Sequence, residues 1–206
     1  APDSWESLSD FLKTRSFRDQ EIFDAGLSVR REKGSGYYDR FRSRIMFPIA
    51  DSNGQTVGFT GRGFGKEDDS ANYINTPQTL IYDKSRLIYG LNKAKLAIRK
   101  ENRCIAVEGN MDVILSHQAG VQNAVASSGT ALTIQHLKTI KRYTENLDLC
   151  FDADIAGETA TRRAVDWALN EGLNVGIITI SSPNLKDPAD FVKAYGSKWQ
   201  EESKNS

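Results

Sequence analysis

Acidic residues follow two apolar stretches of this sequence. Glu108 ends one stretch, and Asp152 and Asp154 come after the run Leu147–Phe151. Residues two apart in an extended segment project to the same side, so this second pair is expected to point together. Asp112 follows Glu108 where a helix could carry both carboxylates toward one edge. The four acids are therefore predicted to form one cluster.

Clustered carboxylates repel one another and have raised pKa values unless cations neutralise them. Oxygen-only ligation suits hard metals, so the cluster predicts Mg²⁺ or Mn²⁺, with two or more ions, rather than zinc. Such metals can activate a 3′-hydroxyl and shield the charge that develops on a phosphate. Asp187 lies just past the next predicted strand and could add a ligand.

Each acid also has an ordinary structural explanation. Acidic residues after strands often cap the following helix, and Asp152 or Asp154 could do so here. A single acid would favour this structural role, whereas acids at several strand ends together favour a metal site.

The elements that must position these acids alternate between strands and helices. From Cys104 onward, strand patterns at CIAVEG, QNAVAS, LDLCFDAD and NVGIITI are separated by helical patterns. Strands that are apolar almost throughout indicate a parallel sheet covered on both faces. Right-handed crossovers then give a Rossmann-like layout, in which functional groups gather where strands end and helices begin.

The preceding residues indicate a small mixed α+β subdomain. Residues 4–15 and 19–27 have the apolar spacing of short amphipathic helices. The β-rich runs 44–51 and 55–62 are separated by a Ser-Asn-Gly turn, which predicts a hairpin. At the other end of the chain, the polar tail after Trp199 is expected to be frayed.

Length and composition describe an ordinary globular protein. With 206 residues, we expect a small subdomain over residues 1–100 and an α/β domain over residues 101–206. Basic and acidic residues both number 27, so nucleic-acid binding would need a local patch. There is no bilayer-length apolar run and no secretion signal, which excludes membrane classes and favours the cytoplasm.

Other reactive side chains are assigned to structure. Cys104 and Cys150 lack the close spacing of a zinc site and are expected to be buried. His117 and His136 lie in predicted helices without a second ligand nearby in sequence. Adjacent tyrosines at positions 37 and 38 could stack on bases, but packing is the favoured role.

Two strings around the acids resemble the signature motifs of the Toprim domain, which bacterial primases, topoisomerases and several nucleases share. They are Glu108-Gly-Asn-Met-Asp112 and Phe151-Asp-Ala-Asp-Ile-Ala-Gly157. Further strings resemble the DnaG-type primase core and so separate these relatives. These are Asp39-Arg-Phe-Arg-Ser-Arg-Ile-Met-Phe-Pro-Ile49, Gly58-Phe-Thr-Gly-Arg62, Tyr73-Ile-Asn-Thr-Pro-Gln-Thr79, Tyr89-Gly-Leu91, Ser128-Gly-Thr130 and Asp187-Pro188.

The resemblance implies a Toprim domain preceded by part of the N-terminal subdomain of a primase core. It implies synthesis of short RNA primers from nucleoside triphosphates on single-stranded DNA, at the replisome. Glu108 then corresponds to the catalytic acid and a metal ligand, and Asp152 and Asp154 to the metal ligands of the DxD motif. Asp112 and Asp187 correspond to supporting acidic positions.

The resemblance also implies that basic residues bind template and triphosphate. The matching residues are Arg40, Arg42, Arg62 and Lys84. Because Arg40, Arg42 and Arg44 alternate, they are expected to share one face of an extended segment. That face could follow phosphates or be a solvated edge.

Two positions depart from the family pattern. Asn72 replaces a basic residue, so one phosphate or template contact is expected to be weaker. Ala189 stands where the second Asp of Asp-Pro-Asp is common, so an extra metal is expected to bind less tightly. We expect a piece of a longer protein, weakly active or inactive alone. The zinc-binding module, the rest of the basic subdomain and the region that contacts the replicative helicase would lie outside it.

Two alternatives remain at this point. A Toprim nuclease would use the same acids and Mg²⁺ to hydrolyse a phosphodiester. A non-catalytic nucleic-acid-binding fragment would explain the two departures. A topoisomerase is disfavoured because that class needs a strand-attacking tyrosine in a separate domain, which no part of this chain resembles.

Overall fold

A computed structural model of the chain describes residues 1–63, 73–152, 155–182 and 185–205, with the backbone alone for residues 155 and 156. The chain forms two compact units. The first contains residues 1–50 and 55–83, and the second contains residues 51–54 and 84–206. In the described part of the chain, no helix has both the length and the apolar character needed to cross a bilayer.

The first unit combines two short helices with two small antiparallel sheets. One sheet pairs β1 with β2, and the other has the order β3-β4-β5. The predicted hairpin is confirmed, because β3 and β4 pair antiparallel with Met46 opposite Gly61. The elements are α1 (Ser7–Thr14), α2 (Asp19–Asp24), β1 (Ser28–Arg30), β2 (Tyr37–Asp39), β3 (Arg44–Ala50), β4 (Thr56–Gly63) and β5 (Tyr73–Asn75).

A buried carboxylate ties β2 to the start of α1. Asp39 is 1% exposed, and its oxygens accept hydrogen bonds from Leu8 N at 2.6 Å and Ser9 N at 2.9 Å. The Ser9 hydroxyl donates to the same carboxylate at 2.5 Å. The first N–H groups of a helix have no partner within it, so Asp39 supplies acceptors that α1 needs.

The second unit is a parallel sheet covered by helices. Its strand order is β7-β6-β8-β9, and every neighbouring pair is parallel. The predicted fold class, a parallel α/β sheet preceded in the chain by a small mixed α+β unit, is confirmed. The elements are α3 (Leu91–Glu101), β6 (Cys104–Val107), α4 (Asn110–Gln118), β7 (Ala124–Ala126), α5 (Ile134–Lys141), β8 (Asn146–Cys150), α6 (Ile155–Asn170), β9 (Asn174–Ile177), α7 (Pro188–Tyr195), a 3₁₀ turn (Gly196–Lys198) and α8 (Trp199–Glu202).

Both faces of the sheet are buried, as the apolar strands predicted. Successive side chains of a strand point to opposite faces. Cys104 and Ala106 accordingly pack in one cluster with residues of α3, α5 and α6. Ile105 and Val107 pack in a second cluster with residues of α4, α7 and α8. The sheet edge at the strand ends is therefore held rigidly from two sides.

The tail expected to be frayed is instead anchored. Trp199 is fully buried, and its Nε1 donates to the Ser116 hydroxyl at 3.0 Å. Arg103 pairs with Asp148 and donates through Nη2 to the Ser203 carbonyl at 2.6 Å. The expectation was wrong because sequence alone does not show that an indole and a guanidinium reach this segment.

Replacing Trp199 by Phe should lower the free energy of unfolding by roughly 1–3 kcal/mol, because it leaves the buried Ser116 hydroxyl without its donor. Urea unfolding measures this change. Trp5 is 58% exposed, so Trp5→Phe is the matched control and should change stability by less than about 0.5 kcal/mol. Equal effects of the two substitutions would contradict the anchoring role.

Candidate functional site

The candidate site lies where the parallel strands end. Glu108 directly follows β6, and Asp152 lies two residues beyond β8, its neighbour in the sheet. The backbone N–H of Asp152 donates to Glu108 Oε1 at 3.1 Å. The structure thus links the loops that carry two of the predicted acids.

Asp112 joins the first turns of two helices. Its Oδ2 accepts from Gly109 N at 2.9 Å at the start of α4, and its Oδ1 accepts from Ala189 N at 3.1 Å at the start of α7. Burial raises the pKa of Asp112 to about 7, and the negative charges of Asp187 and Asp152 add to the rise, against the effect of the two hydrogen bonds. The side chain is 5% exposed.

Asp187 caps α7. Its Oδ1 accepts from Asp190 N at 2.7 Å, and Pro188 occupies the first helical position. A proline there costs nothing, because this N–H would have no partner within the helix. Asp112 and Asp187 thus both accept hydrogen bonds from backbone N–H groups at helix starts.

The turn between β8 and α6 requires a glycine. A Cβ atom on Gly157 would collide with the carbonyl oxygen of Asp152. The predicted close backbone turn at Gly157 is therefore confirmed. It brings the N-terminal part of α6 against the Asp152 backbone, and a helix N-terminus favours nearby negative charge.

The Cys150 thiol lies among these acids. Burial raises its pKa, and the negative charges of Asp112, Asp152 and Asp187 add to the effect. Cys150 and Cys104 are both buried and free, as expected for small hydrophobes. The charges of Asp152 and Asp187 thus act on both Cys150 and Asp112.

The donor set fits a hard divalent cation. It consists of carboxylate oxygens, and their mutual repulsion contributes to the raised pKa of Asp112. Within the described residues, no three His, Cys, Asp or Glu side chains are already arranged to hold a metal. Asp154, the second acid of the DxD motif, lies outside the described residues. The metal site therefore stays a prediction.

The predicted arginine stripe is wrong. Ser43 has φ of +46°, which interrupts the extended backbone between Arg42 and Arg44. Arg44 is 8% exposed and donates to the Gly61 carbonyl at 3.2 Å. Arg40 donates through Nε to the Gly26 carbonyl at 3.1 Å. Arg44 therefore serves the fold and shares no solvent-facing row with the other two.

Arg42 is stacked between aromatic rings of the first unit. Its guanidinium carbon lies 4.1 Å from the Trp5 ring centroid and 5.1 Å from that of Tyr38. Tyr38 also packs edge-on against Trp5 at 5.3 Å, and Tyr37 packs against Phe23 at 5.3 Å. The predicted packing of the two tyrosines is confirmed.

The remaining basic candidates lie in different units. Arg62 is in β4 of the first unit, where its guanidinium lies 5.7 Å from the ring of Tyr73 on the paired strand. Lys84 begins the main segment of the second unit, and its side chain is partly exposed. Asn72 lies outside the described residues.

Both histidines have structural contacts. His117 Nε2 lies 2.9 Å from the Ala124 carbonyl. His136 is fully buried and contacts Thr133 and the Lys84 carbonyl. The contacts of His136 were not predicted from the sequence. A Thr followed three residues later by a hydrogen-bonding side chain is nevertheless typical of a helix N-terminus, and it could have indicated the pair Thr133 and His136.

The comparisons with known proteins agree with this geometry. Residues 1–95 match the family described as DNA primase catalytic core, N-terminal domain, and residues 105–192 match the family described as Toprim-like. The fold and its acidic strand ends thus define a Toprim-type α/β unit that follows a primase-core subdomain in the sequence. The chain belongs to the DnaG-type DNA primase family.

Individual relatives support this assignment. A DNA primase of Staphylococcus epidermidis is 42% identical over 95% of this chain and 32% of its own length. The RNA polymerase domain of Mycobacterium tuberculosis primase DnaG is 35% identical, with a TM-score of 0.86 over 100% of this chain and 68% of that one. A DnaG primase catalytic domain bound to ssDNA is 36% identical, with a TM-score of 0.85 over 99% and 63%. The chain spans about a third of the length of the curated relatives it matches.

The raised pKa of Asp112 predicts how stability depends on pH when a chelator removes metals. An acid whose pKa rises on folding binds its proton more tightly in the folded state, so its contribution is complete below about pH 4 and is lost as pH rises through 7. The free energy of unfolding should fall by roughly 2–3 kcal/mol more in the native chain than in Asp112→Asn between pH 5 and 8.

Urea unfolding at each pH measures this difference. Asp166→Asn, on the exposed side of α6, is the control and should keep the pH dependence of the unchanged chain. Parallel pH profiles for Asp112→Asn and the unchanged chain would contradict the shift.

Proposed function

We propose that this chain is the catalytic part of a primase that makes short RNA primers from nucleoside triphosphates on single-stranded DNA. The observation that carries the proposal is the acidic edge, the end of the parallel sheet where Glu108, Asp112, Asp152 and Asp187 lie. There the Asp152 backbone donates to Glu108, and burial together with the charges of Asp187 and Asp152 raises the pKa of Asp112. Carboxylates converging at strand ends suit nucleotidyl transfer, which needs charge stabilisation at a phosphate.

The acids have distinct roles in this proposal. Glu108 is the catalytic acid and a metal ligand, and Asp152 and Asp154 are the ligands of the DxD motif. Asp112 and Asp187 are supporting acids, and their hydrogen bonds at the starts of α4 and α7 hold neighbouring loops in place. When bound, two or more Mg²⁺ or Mn²⁺ ions would activate a primer 3′-hydroxyl and stabilise charge on the phosphate.

The basic residues are proposed to bind the template and the triphosphate. Arg62 and Lys84 would grip phosphates, which are favoured ligands of guanidinium and ammonium groups. Arg40 and Arg42 would contact template. The rings beside Arg42 hold its guanidinium in a fixed place, and the DNA-bound relative supports a role on single-stranded DNA.

The wider setting follows from the family. We propose that residues 1–100 contribute the template and nucleotide side and residues 101–206 the metal-binding side. The partners would be the template, nucleoside triphosphates, the RNA primer and, through a region outside this sequence, the replicative helicase. The site of action would be the replisome.

Mn²⁺ titration tests the metal site directly. Asp152→Asn should weaken Mn²⁺ binding roughly tenfold or more, because it removes a negative ligand. Asp166→Asn also removes one acidic charge but lies exposed on α6 and should leave the affinity unchanged. Calorimetry of both variants measures the difference. If Asp152→Asn binds Mn²⁺ as the unchanged chain does, Asp152 is not a ligand and the non-catalytic alternative gains support.

Glu108→Gln tests the chemistry in the full-length primase that contains this chain. The side chain keeps an oxygen that can accept from Asp152 N, so folding should persist while primer synthesis falls roughly a hundredfold or more. Incorporation of labelled nucleoside triphosphates on single-stranded DNA is the measurement, with release of nucleotides from labelled DNA measured in parallel. Cleavage without synthesis by the unchanged protein would favour the nuclease alternative, and undiminished synthesis would remove Glu108 from the catalytic role.

A further inference from the structure

The N-terminal turn of α5 holds a neighbouring segment through two side chains. Thr133 N donates to His136 Nδ1 at 3.2 Å, and His136 N donates to Thr133 Oγ1 at 3.2 Å. His136 Nε2 lies 3.0 Å from the Lys84 carbonyl, and the Thr133 hydroxyl donates to the Ser85 carbonyl at 2.6 Å. Two successive carbonyls of one segment are thus bound to one helix end.

These contacts fix the hydrogen positions on the His136 ring. Nδ1 faces an N–H group and must accept, whereas Nε2 faces a carbonyl and must donate. Only the neutral ring with its hydrogen on Nε2 satisfies both. The ring is fully buried, so any other arrangement would leave a polar atom unsatisfied away from water.

Capping of α5 does not require the contacts to Lys84 and Ser85. The reciprocal bonds between Thr133 and His136 already satisfy N–H groups of the first turn. The carbonyls of Lys84 and Ser85 belong to a partly exposed segment, where water could donate hydrogen bonds to them instead. The distinctive consequence of the two extra bonds is therefore a fixed backbone at Lys84.

The fixed segment lies toward the same end of the sheet as the acids. α5 follows β7, which runs parallel to β6, so the start of α5 and the end of β6 meet the same edge of the sheet. Farther along, Tyr89 exchanges two backbone hydrogen bonds with Ala126, the partner of Val107 in the sheet. Val107 directly precedes Glu108, so the segment is fixed at both ends along β7, the neighbour of the strand that leads to this acid.

We propose that Thr133 and His136 are positioning residues that fix the backbone of Lys84, so that its ammonium group binds the phosphates of the nucleoside triphosphate beside the acids. This inference rests on the proposed function. A flexible lysine loses side-chain and backbone freedom when it binds a phosphate. Fixing its backbone in advance reduces that loss, so the clamp increases affinity for triphosphate without touching it.

Two substitutions of His136 separate the bonds. Asn can accept from Thr133 N but cannot reach the Lys84 carbonyl, whereas Gln carries an amide N–H group at the reach of Nε2. His136→Asn should weaken binding of ATP with Mn²⁺ about fivefold, the cost of one unrestrained side chain. His136→Gln should stay within about twofold of the unchanged chain. Calorimetry on the complete chain is the measurement.

A double-mutant cycle tests whether the effect acts through Lys84. In a Lys84→Met background, His136→Asn should cause no further loss of ATP affinity. Ile140→Val, in the buried face of the same helix, controls for a general loss of stability in α5 and should leave ATP affinity unchanged. An equal loss from His136→Asn with and without Lys84 would overturn the positioning role.

Backbone hydrogen exchange of residues 84–91 reports the clamp without any nucleotide. Exchange should speed up in His136→Asn and stay near the unchanged rate in His136→Gln. Unchanged exchange in His136→Asn would overturn the clamp even if Lys84→Met weakens ATP binding. Unchanged ATP binding in Lys84→Met would instead remove Lys84 from the proposed function, and with it the positioning role.

Discussion

The carboxylate of Asp112 is the contact on which the acidic edge depends. It joins Gly109 in the first turn of α4 to Ala189 in the first turn of α7, although Ala189 lies 77 positions away in sequence. Glu108 lies two residues before the start of α4 and Asp187 caps α7, so one buried side chain aligns both acids. Apolar packing could bring the helices together, but only an acceptor can serve the N–H groups at their starts.

This arrangement gathers negative charge where water is scarce. Burial and the charge of Asp187 raise the pKa of Asp112 to about 7. Burial and the charges of Asp112, Asp152 and Asp187 also raise the pKa of the Cys150 thiol. Helix starts oppose the effect, because their N–H groups stabilise carboxylates. Repulsion among these acids therefore destabilises the fold relative to a cluster of neutral side chains. Such a loss of stability is typical of functional sites.

The sheet could be predicted from sequence because its strands are apolar on both faces, as the buried Cys104–Val107 shows. Parallel topology then brought Glu108 and Asp152 to one edge. The predicted arginine stripe was wrong because the positive φ angle of Ser43 interrupts the extended backbone between Arg42 and Arg44. The contact between His136 and the Lys84 carbonyl could not be predicted, because Lys84 is 52 positions away and no local pattern shows that two such segments meet.

Ala189 illustrates how a departure from a family pattern can fit its surroundings. The residue is 3% exposed, and its backbone N–H donates to Asp112. An aspartate there would add a buried carboxylate to the residue whose N–H donates to Asp112. In this chain the next acid, Asp190, pairs instead with Lys193 at 2.9 Å, with its side chain 39% exposed. Alanine therefore adds no charge at this buried position while keeping the backbone contact with Asp112.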